Sequence, residues 1–304
     1  MKRCATYLAL SVSLWVLFTN WSLAVDRKAT TNTSAANPNL VVSTQWLSDH
    51  LSDPNLIIVH IGHDHDDYAA AHIPGARFLA MDKFVSKEGP GTELLPADQL
   101  KANLEAIGIS DNSRVVYYAP DWDPMATRLF FTLDYLGHGD QAALLDGGMD
   151  RWLQEKRPTS SEEPKITSGT LTVHLHPEIV ASMETMTKLV AQTHSPSDVV
   201  IIDARPGKRY RAGHLPGAEP MFWETALVNQ DKPLLLSPEE LRQKFAAAGV
   251  TQGKKVISYC EVGYQASYTY FLARYLGYPA AMYDGSYNEW SGAKQPVVRG
   301  DSPR

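Results

Sequence analysis

The sequence predicts an α/β protein built from two similar domains, each a mostly parallel sheet with helices on both faces. Three observations carry that reading. The chain has 304 residues, and domains usually run to about 100–200. One ordered set of landmarks occurs twice, at a spacing near 140 residues. Each copy alternates short apolar runs with helix-like stretches, as parallel strands covered on both faces require.

The repeat is read directly from the residues. His72-Ile73-Pro74-Gly75-Ala76 returns as His214-Leu215-Pro216-Gly217-Ala218, and Leu100–Ile109 returns as Leu241–Val250. Val115-Val116-Tyr117-Tyr118 matches Val256-Ile257-Ser258-Tyr259, and Tyr135-Leu136-Gly137 matches Tyr275-Leu276-Gly277. Asp146-Gly147 and Trp152 match Asp284-Gly285 and Trp290. A period this long is far above that of solenoid units, so each copy is a whole domain.

Within the copies, Leu56–Ile61 and Val199–Asp203 read as buried strands, and so do Val115–Tyr118 and Val256–Tyr259. Amphipathic helices are expected over Ala97–Ile107 and Pro238–Ala248, ended by Gly108 and Gly249. Two more are expected over Ala126–Leu136 and Ala266–Leu276, stopped by Gly137 and Gly277. Pro158, Pro164 and Pro177 bracket a Ser/Glu/Thr stretch that reads as the linker, about residues 158–177. The domains are therefore placed at 40–157 and 178–298.

The first 24 residues read as a secretory signal peptide. Lys2 and Arg3 precede an apolar run from Tyr7 to Phe18, and Ser22-Leu23-Ala24 supplies small residues for cleavage. The expected location is therefore outside the cytoplasm, periplasmic or secreted, with no stable membrane association once the segment is removed. Residues 25–39 read as a flexible leader. The formal net charge of −6 becomes −8 without Lys2 and Arg3, which argues against a nucleic-acid partner. Hydrophobic residues at 44% and charged residues at 20% are an ordinary globular balance.

Of the two cysteines, Cys4 lies in the signal segment, so the exported chain keeps only Cys260. An intramolecular disulfide is then impossible, and a lone thiol is unusual in an oxidising compartment. Cys260 follows the strand Val256–Tyr259 and precedes a helix. Ligands bind at such carboxyl ends of parallel strands. Backbone N–H groups and the helix dipole there favour a thiolate, the nucleophilic form. Gly263 suits the sharp turn.

The doubled domain resembles the rhodanese family. The landmarks that carry the resemblance are Asp203-Ala204-Arg205, the His-Leu-Pro-Gly-Ala element, the strand ending at Cys260, and Asp284-Gly285 with Trp290, over about residues 40–298. The resemblance implies two rhodanese-like domains and a six-residue active loop, Cys260, Glu261, Val262, Gly263, Tyr264 and Gln265. It implies a double displacement: Cys260 takes a sulfane sulfur from thiosulfate as a persulfide and passes it to cyanide or a thiol. The alternatives are 3-mercaptopyruvate as donor, or a persulfide carrier serving one dedicated partner. Small-molecule donor and acceptor are thus the expected partners, with neither cofactor nor metal.

In the first copy Ala119 stands where the second has Cys260, so that domain is expected to be non-catalytic and to cover the active loop. The family pattern points Arg209 at the anionic donor and gives Arg205 a supporting ion pair. His72 is expected to fix its own turn. The loop departs from thiosulfate-preferring members, which often carry basic residues after the cysteine; here Glu261 follows, and its charge opposes a dianion unless it points away. Phosphatases of this fold use a longer loop with an arginine, and position 266 is alanine. His63-Asp64-His65-Asp66-Asp67 reads as a solvated loop rather than a metal site, because consecutive residues do not converge without a purpose-built loop.

Overall fold

The computed structural model describes Met1 and residues 35–303, apart from 87, 90, 92, 121–123, 193–197 and 230–231. The expected signal peptide, Met1 excepted, lies outside the described residues, as does the leader up to residue 34. Among the described residues, no helix is long and apolar enough to cross a membrane.

The first copy runs β1 (Val41–Val42), α1 (Thr44–His50), β2 (Leu56–Gly62), α2 (Asp66–Ala70), β3 (Arg77–Ala80), α3 (Ala97–Ala106), β4 (Arg114–Tyr118), α4 (Met125–Tyr135), β5 (Ala142–Leu145) and α5 (Gly148–Gln154). The second runs β6 (Val180–Ala181), α6 (Met183–Ala191), β7 (Val199–Asp203), α7 (Gly207–Ala212), β8 (Ala218–Pro220), β9 (Leu227–Asn229), β10 (Lys232–Leu235), α8 (Pro238–Ala247), β11 (Lys255–Tyr259), α9 (Tyr264–Tyr275), β12 (Ala280–Tyr283) and α10 (Ser286–Gly292). Two five-stranded sheets result, ordered β1-β5-β4-β2-β3 and β6-β12-β11-β7-β8. Every pairing within them is parallel. The added pair β9–β10 is antiparallel.

Alternation along the strands explains the layers. Ile57, Val59 and Ile61 of β2 enter one apolar core, while Ile58 enters another on the opposite face. Val256 of β11 and Cys260 just past its end share the first of these cores, and Ile257 and Tyr259 face a third. Successive strand residues point to opposite faces, so a sheet buried on both sides needs apolar residues at every position.

The core common to both copies is built on α4 and α9. Phe130 meets Phe271 edge-on at 5.1 Å, and Phe131 meets Tyr270 edge-on at 5.0 Å. Thr127 and Ser267, equivalent in the repeat, lie 2.9 Å apart through their hydroxyls. Both helices are buried along nearly their whole length, so neither domain has a solvated face here, and the pair packs as one body.

Local chemistry sets the ends. Ser43 and Ser182 cap α1 and α6 at matching places, and Ser237 with Glu240 forms a capping box at α8; each such cap contributes about 1 kcal/mol. Trp152 and Trp290 are fully buried, and each indole N–H donates to a proline carbonyl six residues on, at 2.8 Å. Residues 158–176 form no helix or named strand and are tied to the first copy: Ser160 bridges His72, and Thr172 and His174 donate to Asp111 and the Leu136 carbonyl.

Candidate active site

Cys260 stands at the carboxyl end of β11, the middle strand of the second sheet. Tyr259 fixes that strand end: its buried hydroxyl donates to Asp203 Oδ2 at 2.6 Å and accepts from the Leu215 N–H at 3.2 Å. The chain then turns within a few residues. Gly263 has φ +104°, a left-handed conformation that suits glycine, and it is the N-cap of α9. The helix therefore starts at Tyr264, two residues before the position read from the sequence, and Tyr264 and Gln265 form its first turn.

That geometry surrounds the sulfur with amides. The Gly263 N–H donates to Cys260 Sγ at 3.0 Å, and the backbone N–H groups of Val262, Gln265 and Ala266 also act on it. The opposite edges of the same peptides are held from behind. The Tyr287 N–H donates to the Cys260 carbonyl at 2.9 Å, and the Asn288 N–H to the Glu261 carbonyl at 3.1 Å. Because C=O and the following N–H point opposite ways in a planar trans peptide, holding the Glu261 carbonyl on α10 turns the Val262 N–H inward. The first copy closes this side with Gly91, where a Cβ would stand 3.2 Å from the Val262 carbonyl.

Burial pushes the Cys260 thiol up, and the four amides pull the other way without cancelling it. The sequence led to a favoured thiolate; in this closed, solvent-excluded loop the desolvation of the anion outweighs the N–H groups. Those groups are nonetheless placed for a negative charge at or beyond Sγ.

Cys260 lies on the wall of a cavity of about 310 Å³ together with Glu261, Val262, Tyr264 and Gln265. Two residues the sequence did not single out complete it: Trp223, from the turn after β8, and Pro124, from the first copy. Among the described lining residues, Glu261 carries the only ionisable carboxylate and no lysine or arginine is present.

Arg205 does not reach that cavity's lining. It is buried, donating to both oxygens of Asp203 and to the Gly213 carbonyl, and it stacks over Tyr287 at 4.0 Å. Burial works against its charge, but Asp203, Tyr259 and Glu261 more than restore it. Its Nη1 lies 3.2 Å from Glu261 Oε2, so the acidic residue beside the nucleophile is ion-paired.

Arg209, expected to face the donor, stands apart from the residues around the sulfur. It is exposed on α7 and is not among the residues lining the cavity. The buried residue of that helix is Tyr210, and a neighbouring position is rotated by about 100° on a helix. His72 is fully buried, stacked on Tyr68 at 3.9 Å, with its ring nitrogens 2.7 Å from the Tyr68 carbonyl and 3.1 Å from that of Glu162. It holds its own turn and the linker. In the acidic loop, His65 pairs with Glu163, and Asp66 and Asp67 form the first turn of α2.

The first copy repeats the scaffold without the chemistry. Ala119 occupies the cysteine position, and Gly147-Gly148 stand where the second copy has Gly285-Ser286.

A doubled α/β chain with one amide-wrapped cysteine, in one copy only, defines a class of thiol-dependent two-domain proteins. Comparison with known sequences makes the class specific. The family profile described as "Rhodanese-like domain" matches residues 43–155 and again 185–293. The chain belongs to the rhodanese family, in tandem form. It is 31% identical over 261 residues to the thiosulfate sulfurtransferase of Azotobacter vinelandii, covering 83% of this chain and 93% of that one. It is 29% identical over 286 residues to the sulfur carrier protein TtuD of Thermus thermophilus, covering 88% and 99%. It is also 29% identical, over 86% of this chain and 98% of that one, to a Pseudomonas aeruginosa protein named "Probable 3-mercaptopyruvate sulfurtransferase". The fold is shared with the crystal structure of YnjE (TM-score 0.76, 23% identity, 86% of this chain and 69% of that one). It is shared equally with the anaerobic ergothioneine biosynthesis enzyme of Chlorobium limicola (TM-score 0.76, 21% identity, 86% and 70%).

Proposed function

We propose that this protein is a sulfurtransferase that moves a sulfane sulfur from thiosulfate to a thiophilic acceptor, cyanide or a thiol, through a persulfide on Cys260. The observation that carries it is the convergence of the Val262, Gly263, Gln265 and Ala266 N–H groups on Sγ at the wall of a small cavity. In the first step the Cys260 thiolate attacks the outer sulfur of thiosulfate. The S–S bond of the donor breaks, sulfite leaves with the electron pair, and a negatively charged persulfide remains. In the second, the acceptor attacks the terminal sulfur, giving thiocyanate with cyanide or a new persulfide with a thiol, and the thiolate returns. Fixed N–H donors aimed at the charge stabilise the persulfide without reorganisation.

The relatives support this reading and leave two variants of it. The absence of a lysine or arginine among the described lining residues favours a donor with less charge beside its reactive sulfur, such as 3-mercaptopyruvate. The likeness to a sulfur carrier protein favours delivery to one partner protein. A side-by-side assay separates them. Sulfite release from thiosulfate with cyanide as acceptor supports the main reading; pyruvate release alone supports the mercaptopyruvate variant; loading of one sulfur without turnover supports the carrier. Export is part of the same proposal, supported by the basic start, apolar run and small residues of positions 1–24. Secretion of a reporter fused to that segment tests it.

A further inference from the structure

Ser286 is one of three non-glycine residues with positive φ among the described residues, at +53°. The other two, Lys156 and Lys294, are repeat equivalents, so their conformation belongs to the scaffold. Ser286 breaks the symmetry. Its equivalent, Gly148, has the same φ of +53° but sits in the copy that has Ala119 instead of a cysteine. Glycine takes this conformation freely, whereas a side chain there is strained. Space does not explain the glycine, since a Cβ on Gly148 would meet the Ala119 carbonyl at an ordinary 3.5 Å. A strained serine is thus present in the copy that does the chemistry.

Its contacts give a reason. Ser286 is fully buried, its hydroxyl donates to the Tyr283 carbonyl at 2.9 Å, and it accepts from the Cys260 N–H at 3.3 Å. The next two residues of α10, Tyr287 and Asn288, hold the Cys260 and Glu261 carbonyls. Three consecutive positions of one helix start therefore grip three backbone groups of the active loop, the N–H and carbonyl of Cys260 and the carbonyl of Glu261.

We propose that Ser286 is a positioning residue for the sulfur-transfer site, locking the Cys260 peptide to the start of α10 so that the loop amides stay aimed at Sγ and at the persulfide formed on it. The idea rests on the sulfur-transfer reading for its persulfide half only; the orientation of amides toward the thiol stands independently. Removal of the hydroxyl frees the Cys260 N–H and loosens the register between loop and helix, which weakens amide stabilisation of any anion at this position.

Two variants of the full chain test it. Ser286→Gly restores the first copy's residue and removes both hydroxyl and strain; Ser286→Ala removes the hydroxyl and keeps the strain. The thiolate absorbance of Cys260 is followed against pH as a difference from Cys260→Ser, together with thermal melting and the rate of sulfur loading. In both variants the titration midpoint is expected to rise by roughly 0.5–1 unit, and loading at neutral pH to slow about tenfold, while Ser286→Gly melts no lower than the wild type. An unmoved midpoint in a stable Ser286→Gly overturns the proposal, and so does a shift confined to whichever variant is destabilised. Absence of sulfur loading in the wild type contradicts the sulfur-transfer reading instead, and the titration still decides the role of Ser286.

Discussion

The Arg128 guanidinium of the first copy lies 2.7 Å from the Asp284 carboxylate of the second, with both side chains buried. Asp284 also accepts the Leu94 N–H of the first copy at 2.9 Å. The reciprocal contact exists: Asp146 accepts the Leu235 N–H at 2.9 Å. The repeat is thus clasped by two equivalent aspartates, and the one in the second copy stands two residues before Ser286. Interdomain packing and the backing of the active loop are carried by neighbouring residues of one short segment, Asp284 and Ser286.

Breaking that ion pair from one side leaves an uncompensated buried charge, which typically costs about 3–5 kcal/mol. Arg128→Met is expected to lower the unfolding free energy by about 3 kcal/mol, most of it traceable to Asp284. Adding Asp284→Asn is expected to recover at least about 1 kcal/mol, because the neutral amide still accepts from Leu94. Denaturant unfolding of the single and double variants checks this; equal stabilities for the two would show that Asp284 is not the strained partner.

Glu261 invites the reading that it repels an anionic donor. A bare charge at about 6 Å and an effective dielectric of about 20 is worth up to about 3 kcal/mol per donor charge. Arg205 stands 3.2 Å away and offsets most of it. Glu261→Gln is therefore expected to raise kcat/KM for thiosulfate by no more than about threefold at low salt. A gain above tenfold in steady-state kinetics would mean that Glu261 faces the donor unneutralised.

His60 gives the fold an acid-sensitive element. Burial, with smaller contributions from His72 and His65, lowers its pKa to about 4. The unfolded chain takes up the proton near 6.5. Between those values only the unfolded state is protonated, so stability falls as pH drops from about 6.5 to 4, by up to about 1.4 kcal/mol per pH unit. His60→Gln, which keeps a partner for Tyr118, is expected to lose about 2 kcal/mol less than the wild type between pH 6.5 and 4.5. Urea titrations at the two pH values measure it, and parallel losses in both proteins would assign the acid sensitivity elsewhere.

Most of the architecture was legible because its signals are local. Leu56–Ile61 and Val256–Tyr259 are apolar at nearly every position, and their short length and β-branched or aromatic content favour a strand buried on both faces over a helix segment. Gly137 and Gly277 end their helices in left-handed conformations, at φ +90° and +82°. Cys260 stood out by elimination. The start of α9 was misplaced because Gly263, Tyr264 and Gln265 carry no apolar periodicity, so a helix cap reads as loop. What escaped altogether was long-range. Arg205 and Glu261 are 56 residues apart, Pro124 comes from the other copy, and Trp223 opens a short 3-10 helix after β8; no periodicity links them. The exposure of Arg209 depended on which face of the six-residue helix α7 Tyr210 buries, and that is settled by packing, with the Tyr210 hydroxyl donating to the Ala218 carbonyl of β8.

The central claim is that Cys260 carries sulfur, and intact-mass spectrometry tests it most directly. The chain is incubated with thiosulfate, or in parallel with 3-mercaptopyruvate, without acceptor and under non-reducing conditions, then weighed. The expected result is a gain of about 32 Da, one sulfur atom, mapped to Cys260, absent from Cys260→Ser and removed by cyanide. No added mass from either donor, or an equal gain in Cys260→Ser, would contradict the account.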